Sequence, residues 1–214
     1  MKMIRQLLLL LAGTVFLFSC KEKEQQPAVK NSLAKDSIQN VDADSSSTPY
    51  VIVDVSPMDM SYYPVNYPKL KMAKQISQPP VVRLIYSRPH LQGRELFHDV
   101  LKYGEYWRLG ANEATEIEFF RDVTIQNKKV KAGRYILYCI LGPASWKIAL
   151  NSNLDSWGLQ QDSTKDIQHF DIPVTHGNPS LEYLTMIFAK TNTGAELIIA
   201  WDDVVAKLPI DFSN

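Results

Sequence analysis

Short runs of apolar, β-branched and aromatic residues recur from residue 81 onward, separated by turn-forming residues. In one such run, Trp146, Ile148 and Leu150 alternate with Lys147, Ala149 and Asn151, as in a strand with one buried face. The pattern predicts nine strands, at residues 81–86, 115–120, 122–126, 134–141, 146–151, 167–174, 181–189, 195–201 and 204–208. Because no long helices alternate with them, these strands predict an all-β fold, an antiparallel β-sandwich or jelly-roll-like domain over residues 81–214.

Two local features complete this predicted domain. Residues 95–103 place four apolar side chains on one helical face and precede Gly104, which is suited to end a helix, so one short helix is predicted there. Asn127-Lys128 lies between two strand-like runs and is predicted to turn a hairpin.

Residues 50–80 have a different character, since five prolines and four tyrosines are spread along them. Repeated proline argues against a regular helix or a central strand. We therefore predict an extended arm packed along the surface of the domain. An exposed aromatic platform for a ligand is the alternative.

The N-terminus carries a secretion pattern. Lys2 and Arg5 precede an apolar run at residues 7–18, which ends in Leu17-Phe18-Ser19-Cys20. The run is shorter than the roughly 20 apolar residues that a membrane-spanning helix needs. A basic start, a short apolar run and a small residue before cysteine indicate a bacterial lipoprotein signal at residues 1–19, with Cys20 as the lipidated residue. An ordinary signal peptide is the alternative.

This reading predicts the location of the protein and a tether. The lipid would fix the chain to a membrane of the bacterial envelope, with the outer membrane favoured and its periplasmic or exposed side left open. Residues 21–49 contain no aromatic residue and no glycine, so residues 20–49 are predicted to be a disordered tether. The charged Lys21-Glu22-Lys23-Glu24 is either solvated linker or part of a surface-export signal.

Charge and cysteine content exclude several classes of function. Without Lys2 and Arg5 the chain has 21 basic and 23 acidic residues, a net charge of −2, so nucleic-acid binding is not expected. Lipidation of Cys20 leaves Cys139 as the single thiol, and its apolar surroundings predict a buried core residue. The four histidines lack metal-ligand spacing, and no nucleotide or hydrolase motif occurs, so neither a metal nor a cofactor is predicted.

Arginine, tryptophan, asparagine and glutamate side chains are concentrated in residues 86–115. Arginine presents a planar fork of donors that fits carboxylate or phosphate, and tryptophan stacks on sugar rings. These residues predict a pocket for an envelope sugar or an anionic small molecule. A structural network of the same side chains is the alternative. The candidate ligand-binding residues are Arg88, Arg94, Trp107, Arg108, Asn112 and Glu113.

The order of motifs resembles a known family. Tyr86-Ser87-Arg88-Pro89 is followed by Trp107-Arg108, by Gly110-Ala111-Asn112-Glu113-Ala114-Thr115 and by Trp157-Gly158. This order resembles the family called domain of unknown function 2911, over roughly residues 50–212. The resemblance implies a single β-rich domain of a secreted or lipidated protein from Gram-negative bacteria. It implies no activity. His90 departs from the small polar residue expected at its position.

The sequence leaves two classes of function open. The first is a non-catalytic binding or interaction module. The second is a hydrolase-like enzyme that uses Glu113 as acid or base beside Arg108. Glycosidases generally use two facing carboxylates. Glu116 and Glu118 alternate along a strand and are expected to face solvent, so the sequence favours binding over catalysis.

Overall fold

A computed structural model describes residues 55–212, and the part of the chain it describes is an antiparallel β-sandwich with short helical turns. The predicted all-β class is confirmed. The predicted signal peptide (residues 1–19), lipidated Cys20 and tether (residues 20–49) lie outside the described residues.

The strands are β1 Met58–Tyr63, β2 Val82–Ser87, β3 Tyr106–Trp107, β4 Glu116–Phe119, β5 Val123–Ile125, β6 Lys128–Val130, β7 Gly133–Ile140, β8 Ser145–Asn151, β9 Asp166–Thr175, β10 Leu181–Lys190, β11 Gly194–Asp202 and β12 Val204–Asp211.

Nine of the described strands follow one hydrogen-bonded path, in the order β1-β2-β4-β7-β8-β9-β12-β11-β10. Of the others, β3 pairs with β7, and β5 pairs with β12 and with β6. Strand β9 joins the two halves of the sandwich. Its residues from Asp166 to Pro173 pair with β8, while Val174 and Thr175 pair with β12. One long strand therefore passes from the first sheet to the second.

The two ends of this path meet, so the sandwich closes on itself. The backbone N–H of Met186 in β10 donates to the Tyr86 hydroxyl of β2 at 3.0 Å. Directly after β2, the N–H of Leu91 donates to the carbonyl of Glu182, and the N–H of Leu184 donates to the carbonyl of Pro89. β10 is thus joined to β11 on one side and to the chain around β2 on the other.

Aromatic side chains fill the centre of the core. The indole ring of Trp107 lies 5.7 Å from that of Trp146, edge to face, and 5.9 Å from that of Trp201, nearly parallel. Cys139 is fully buried beside them in the core, as predicted, and burial raises the pKa of its thiol well above the ordinary value. A thiol in this environment stays protonated and unreactive.

The helical turns differ from the predictions. Instead of a helix over residues 95–103, a single π-helical turn forms at Leu96–Val100, where the N–H of Leu101 donates to the carbonyl of Leu96. The predicted absence of a regular helix from residues 50–80 is wrong, since α1 spans Tyr67–Met72. Pro68 lies in the first turn of α1, where a missing N–H leaves no hydrogen bond unmade.

Smaller differences concern turns and short elements. The hairpin between β5 and β6 pairs Ile125 with Lys128, so its turn is Gln126-Asn127, one residue earlier than predicted, and both residues have positive φ. Strands β1, β3 and β6 and a 3₁₀ turn at Ser163–Lys165 were not predicted. Within residues 55–212, no helix has the length and apolar character needed to cross a membrane.

Candidate functional site

A surface groove of about 430 Å³ lies over the outer face of the first sheet. Strands β2, β4 and β7 form its floor, and the loop after β8 supplies one wall. The lining residues are Met58, Ile85, Glu113, Ala114, Glu116, Arg134, Ile136, Asp155, Ser156 and Trp157.

Strand register brings the floor residues together. Glu116 of β4 is paired with Ile85 of β2 on one side and with Ile136 of β7 on the other. Because alternate residues of a strand share a face, these three side chains point the same way, opposite to the buried Leu84 and Ile117. The floor therefore combines apolar surface with a carboxylate at its centre.

Arg134 holds one side of the groove through charge pairing. Its Nε donates to Oε1 of Glu116 at 2.9 Å and its Nη2 donates to Oε2 at 2.6 Å, a bidentate ion pair. Nη2 also donates to Oδ1 of Asp155 at 3.2 Å. These hydrogen bonds and the nearby negative charge raise the pKa of Arg134 further above its usual range, so the guanidinium stays charged.

The loop wall depends on Trp157-Gly158. Gly158 has φ +79°, and a Cβ built on it would lie 2.8 Å from Cβ of Ala114 and 3.1 Å from Cβ of Arg108. Only glycine fits this backbone conformation and this close packing. The N–H of Ala114 donates to the carbonyl of Ser156 at 3.2 Å, which ties the loop to the residues before β4. The Trp157 side chain lies at the groove and is 53% exposed.

The charge of the groove is negative. Three carboxylates, those of Glu113, Glu116 and Asp155, face one guanidinium, that of Arg134. Two nitrogens of Arg134 already donate to carboxylates. An anionic ligand would meet an excess of negative charge here, whereas a ligand rich in hydroxyl or amine donors would find acceptors.

Among the predicted ligand-binding residues, Glu113 alone lines this groove. Arg88 instead bridges strands. Its Nε donates to the Leu184 carbonyl at 3.0 Å, its Nη2 donates to Oγ1 of Thr185 at 3.0 Å, and its Nη1 lies 3.3 Å from Oδ2 of Asp59. Arg88 thus connects β1 with β10 at the closure of the sandwich.

The other predicted residues also have contacts that build the fold. Arg94 donates to the carbonyls of Leu91 and His90, at 2.9 and 2.8 Å, and so stabilises the loop after β2. Trp107 is a core residue, 6% exposed. Arg108 is 9% exposed and packs against Gly158. Asn112 has positive φ and its Nδ2 donates to the carbonyl of Ser56 at 3.3 Å. These contacts favour the structural alternative for the polar stretch, with Glu113 as the exception.

Most of the groove cannot be predicted from the sequence, because its residues come from distant parts of the chain. Two signals were present in the sequence. The first signal is Glu116, which the sequence places on the outer face of a strand. Its partner Arg134 could not be predicted, because the antiparallel pairing of β4 with β7 is what brings the two side chains together. Trp157-Gly158 contributed to the family resemblance, and its exposed ring is the second signal.

Within residues 55–212, no three His, Cys, Asp or Glu side chains are arranged so that they could hold a metal ion. Comparison with known families gives one match. The family described as "Protein of unknown function (DUF2911)" matches residues 68–210, so the chain belongs to that family. No curated protein and no solved structure matches the chain.

Proposed function

We propose that this DUF2911 protein is a non-catalytic module that binds an envelope sugar in the groove beside Trp157. The observation that carries the proposal is an exposed tryptophan ring placed next to carboxylate acceptors on an apolar floor. An aromatic ring packs against the C–H face of a sugar, while carboxylates accept hydrogen bonds from its hydroxyl groups. The groove volume falls within the range of small-molecule sites, about 300–1,000 Å³.

The arrangement of charge separates this proposal from its alternatives. An anionic small molecule would have to compete with Glu116 and Asp155 for Arg134, so we do not retain that ligand class. A glycosidase needs two carboxylates that act on the substrate. Glu116 and Asp155 both accept hydrogen bonds from Arg134. Among the groove residues that the structure describes, no second carboxylate is therefore available to act on a substrate together with Glu113. Binding is therefore favoured over hydrolysis.

We also propose that the module is anchored to a membrane of the bacterial envelope by lipid on Cys20. The support is the sequence pattern of a basic start, a short apolar run and Leu17-Phe18-Ser19-Cys20. A single acyl chain binds a membrane only reversibly, whereas more than one chain gives stable anchoring. The groove would then be presented to envelope glycans at the end of residues 20–49.

Substitution of Trp157 tests the sugar site. Binding of a panel of neutral and amino-sugar oligosaccharides is measured by isothermal titration calorimetry. We expect Trp157→Ala to weaken the tightest binder by at least about tenfold, because a stacked tryptophan is a typical binding hot spot. Leu159→Ala is the matched control, since Leu159 belongs to the same loop and is 66% exposed but does not line the groove.

Two results would contradict the proposal. One is that no oligosaccharide of the panel binds the unmodified protein. The other is that Trp157→Ala and Leu159→Ala bind with the affinity of the unmodified protein, which would place any sugar outside the groove.

A further inference from the structure

We infer that the sugar bound in this groove carries a protonated amine, as glucosamine does, rather than an acidic or fully neutral substituent. The inference rests on the proposed function and narrows its ligand class. It follows from the four charged side chains of the groove, of which three form ion pairs with one another and one does not.

Glu113 is the unpaired group. It is exposed, it lines the groove, and among the described residues it takes part in none of the ion pairs. Glu116 differs, because both of its oxygens accept from Arg134. A ligand ammonium would supply the cation that Glu113 lacks without breaking the pair between Glu116 and Arg134.

Trp157 adds a second attraction for a cation. The face of an indole ring carries negative potential. Among the aromatic side chains, tryptophan attracts ammonium groups most strongly. Its half-exposed ring and the Glu113 carboxylate line the same groove. An amino sugar would use both together, since its ring packs on the indole while its amine lies near the carboxylate.

The excess of carboxylate in the groove also excludes acidic sugars. Of the nitrogens of Arg134, Nε and Nη2 already donate to carboxylates. A sugar carboxylate or phosphate would lie among Glu113, Glu116 and Asp155 with this guanidinium largely engaged. The groove therefore discriminates by charge as well as by shape.

The test compares two oligomers that differ only in the acetyl group. The tetramer of glucosamine and the tetramer of N-acetylglucosamine have the same backbone, but acetylation removes the positive charge. Calorimetric titration in mildly acidic buffer of low salt should show the glucosamine tetramer binding about tenfold more tightly. Added salt should reduce this preference, because it screens exposed charge.

Glu113→Gln identifies the source of the preference. We expect this variant to bind both tetramers with similar affinity, near that of the unmodified protein for the acetylated form. Glu105→Gln is the control, since Glu105 is also exposed but does not line the groove, and it should keep the preference. Circular dichroism and thermal melting of both variants check that the fold is intact.

Each outcome has a defined meaning. If the unmodified protein binds both tetramers equally, or binds the acetylated one more tightly, the amine inference is wrong while sugar binding stands. If neither tetramer nor any neutral oligosaccharide binds, the proposed function fails and the inference with it. If tetralysine binds as tightly as the glucosamine tetramer, the groove recognises a basic peptide rather than an amino sugar, and the inference is overturned.

Discussion

Gly158 shows how a single residue positions the groove. Its positive φ turns the loop directly after Trp157, and the absence of a side chain lets the loop touch Ala114 and Arg108. A left-handed backbone conformation costs an L-residue with a side chain about 1–2 kcal/mol. A new Cβ at 2.8 Å from Ala114 adds a steric conflict to that cost.

We expect Gly158→Ala to destabilise the protein by about 3 kcal/mol, from backbone strain and overpacking together. Gly177→Ala is the matched control. Gly177 has nearly the same φ, +78°, but a Cβ there would meet nothing within 4 Å. The control should therefore lose only about 1 kcal/mol. Urea denaturation of the two variants measures the difference, and equal losses would show that the close packing at Gly158 contributes nothing.

The sequence indicates which polar side chains are candidates for a site, but not the residues with which they form hydrogen bonds. Arg88 and Arg94 are candidate anion-binding residues by type, yet both donate to backbone carbonyls of this chain. A side chain's partners depend on which strands become neighbours. Glu113 was the predicted site residue that lines the groove, and its neighbours there, Arg134 and Asp155, are far from it in sequence.

At the scale of elements, the longer apolar strands were predictable from the sequence. β8 and β11 have seven and nine residues and match the predicted ranges closely. The single buried face predicted for β8 is wrong, however, since Ala149 and Asn151 are buried as well. β3 and β6 have two and three residues, too few to show a period. α1 was missed because five prolines in residues 50–80 obscured it, although Pro68 lies where a helix tolerates proline.

Closure of the sandwich between β2 and β10 depends on the Tyr86 hydroxyl, and it should be sensitive to alkali. The hydroxyl accepts from the Met186 N–H, and burial raises the pKa of Tyr86 to about 12. The unfolded chain titrates near pH 10. Above that pH the folded state holds a proton that the unfolded state has lost, so stability falls as pH rises from about 10 to about 12.

We expect Tyr86→Phe to lose about 1–2 kcal/mol at neutral pH, because the buried Met186 N–H loses its acceptor. The same variant should lose less stability between about pH 9 and pH 11 than the unmodified protein. Tyr183→Phe, at a residue 44% exposed, serves as control and should follow the unmodified protein. Urea midpoints across this pH range provide the measurement. Parallel pH profiles for Tyr86→Phe and the unmodified protein would refute the role of Tyr86.

At the scale of the whole molecule, the proposed function requires a folded β domain that works without its membrane attachment. The described residues build a closed sandwich whose core and groove come from within residues 55–212. Residues 21–49 lack the aromatic side chains that pack into a core. The two parts should therefore separate without loss of the sugar site.

We expect the full chain to partition with membranes, and Cys20→Ser to remain in the aqueous fraction, because the lipid needs the Cys20 thiol. Limited proteolysis of the membrane-bound protein should release a stable fragment that begins near Tyr50. That fragment should bind the oligosaccharide with the affinity of the full chain, since every groove residue lies beyond the cleavage point. Equal membrane recovery of the Cys20→Ser variant would contradict the lipid anchor. Protection of residues 21–49 from protease and from amide hydrogen exchange would contradict the tether.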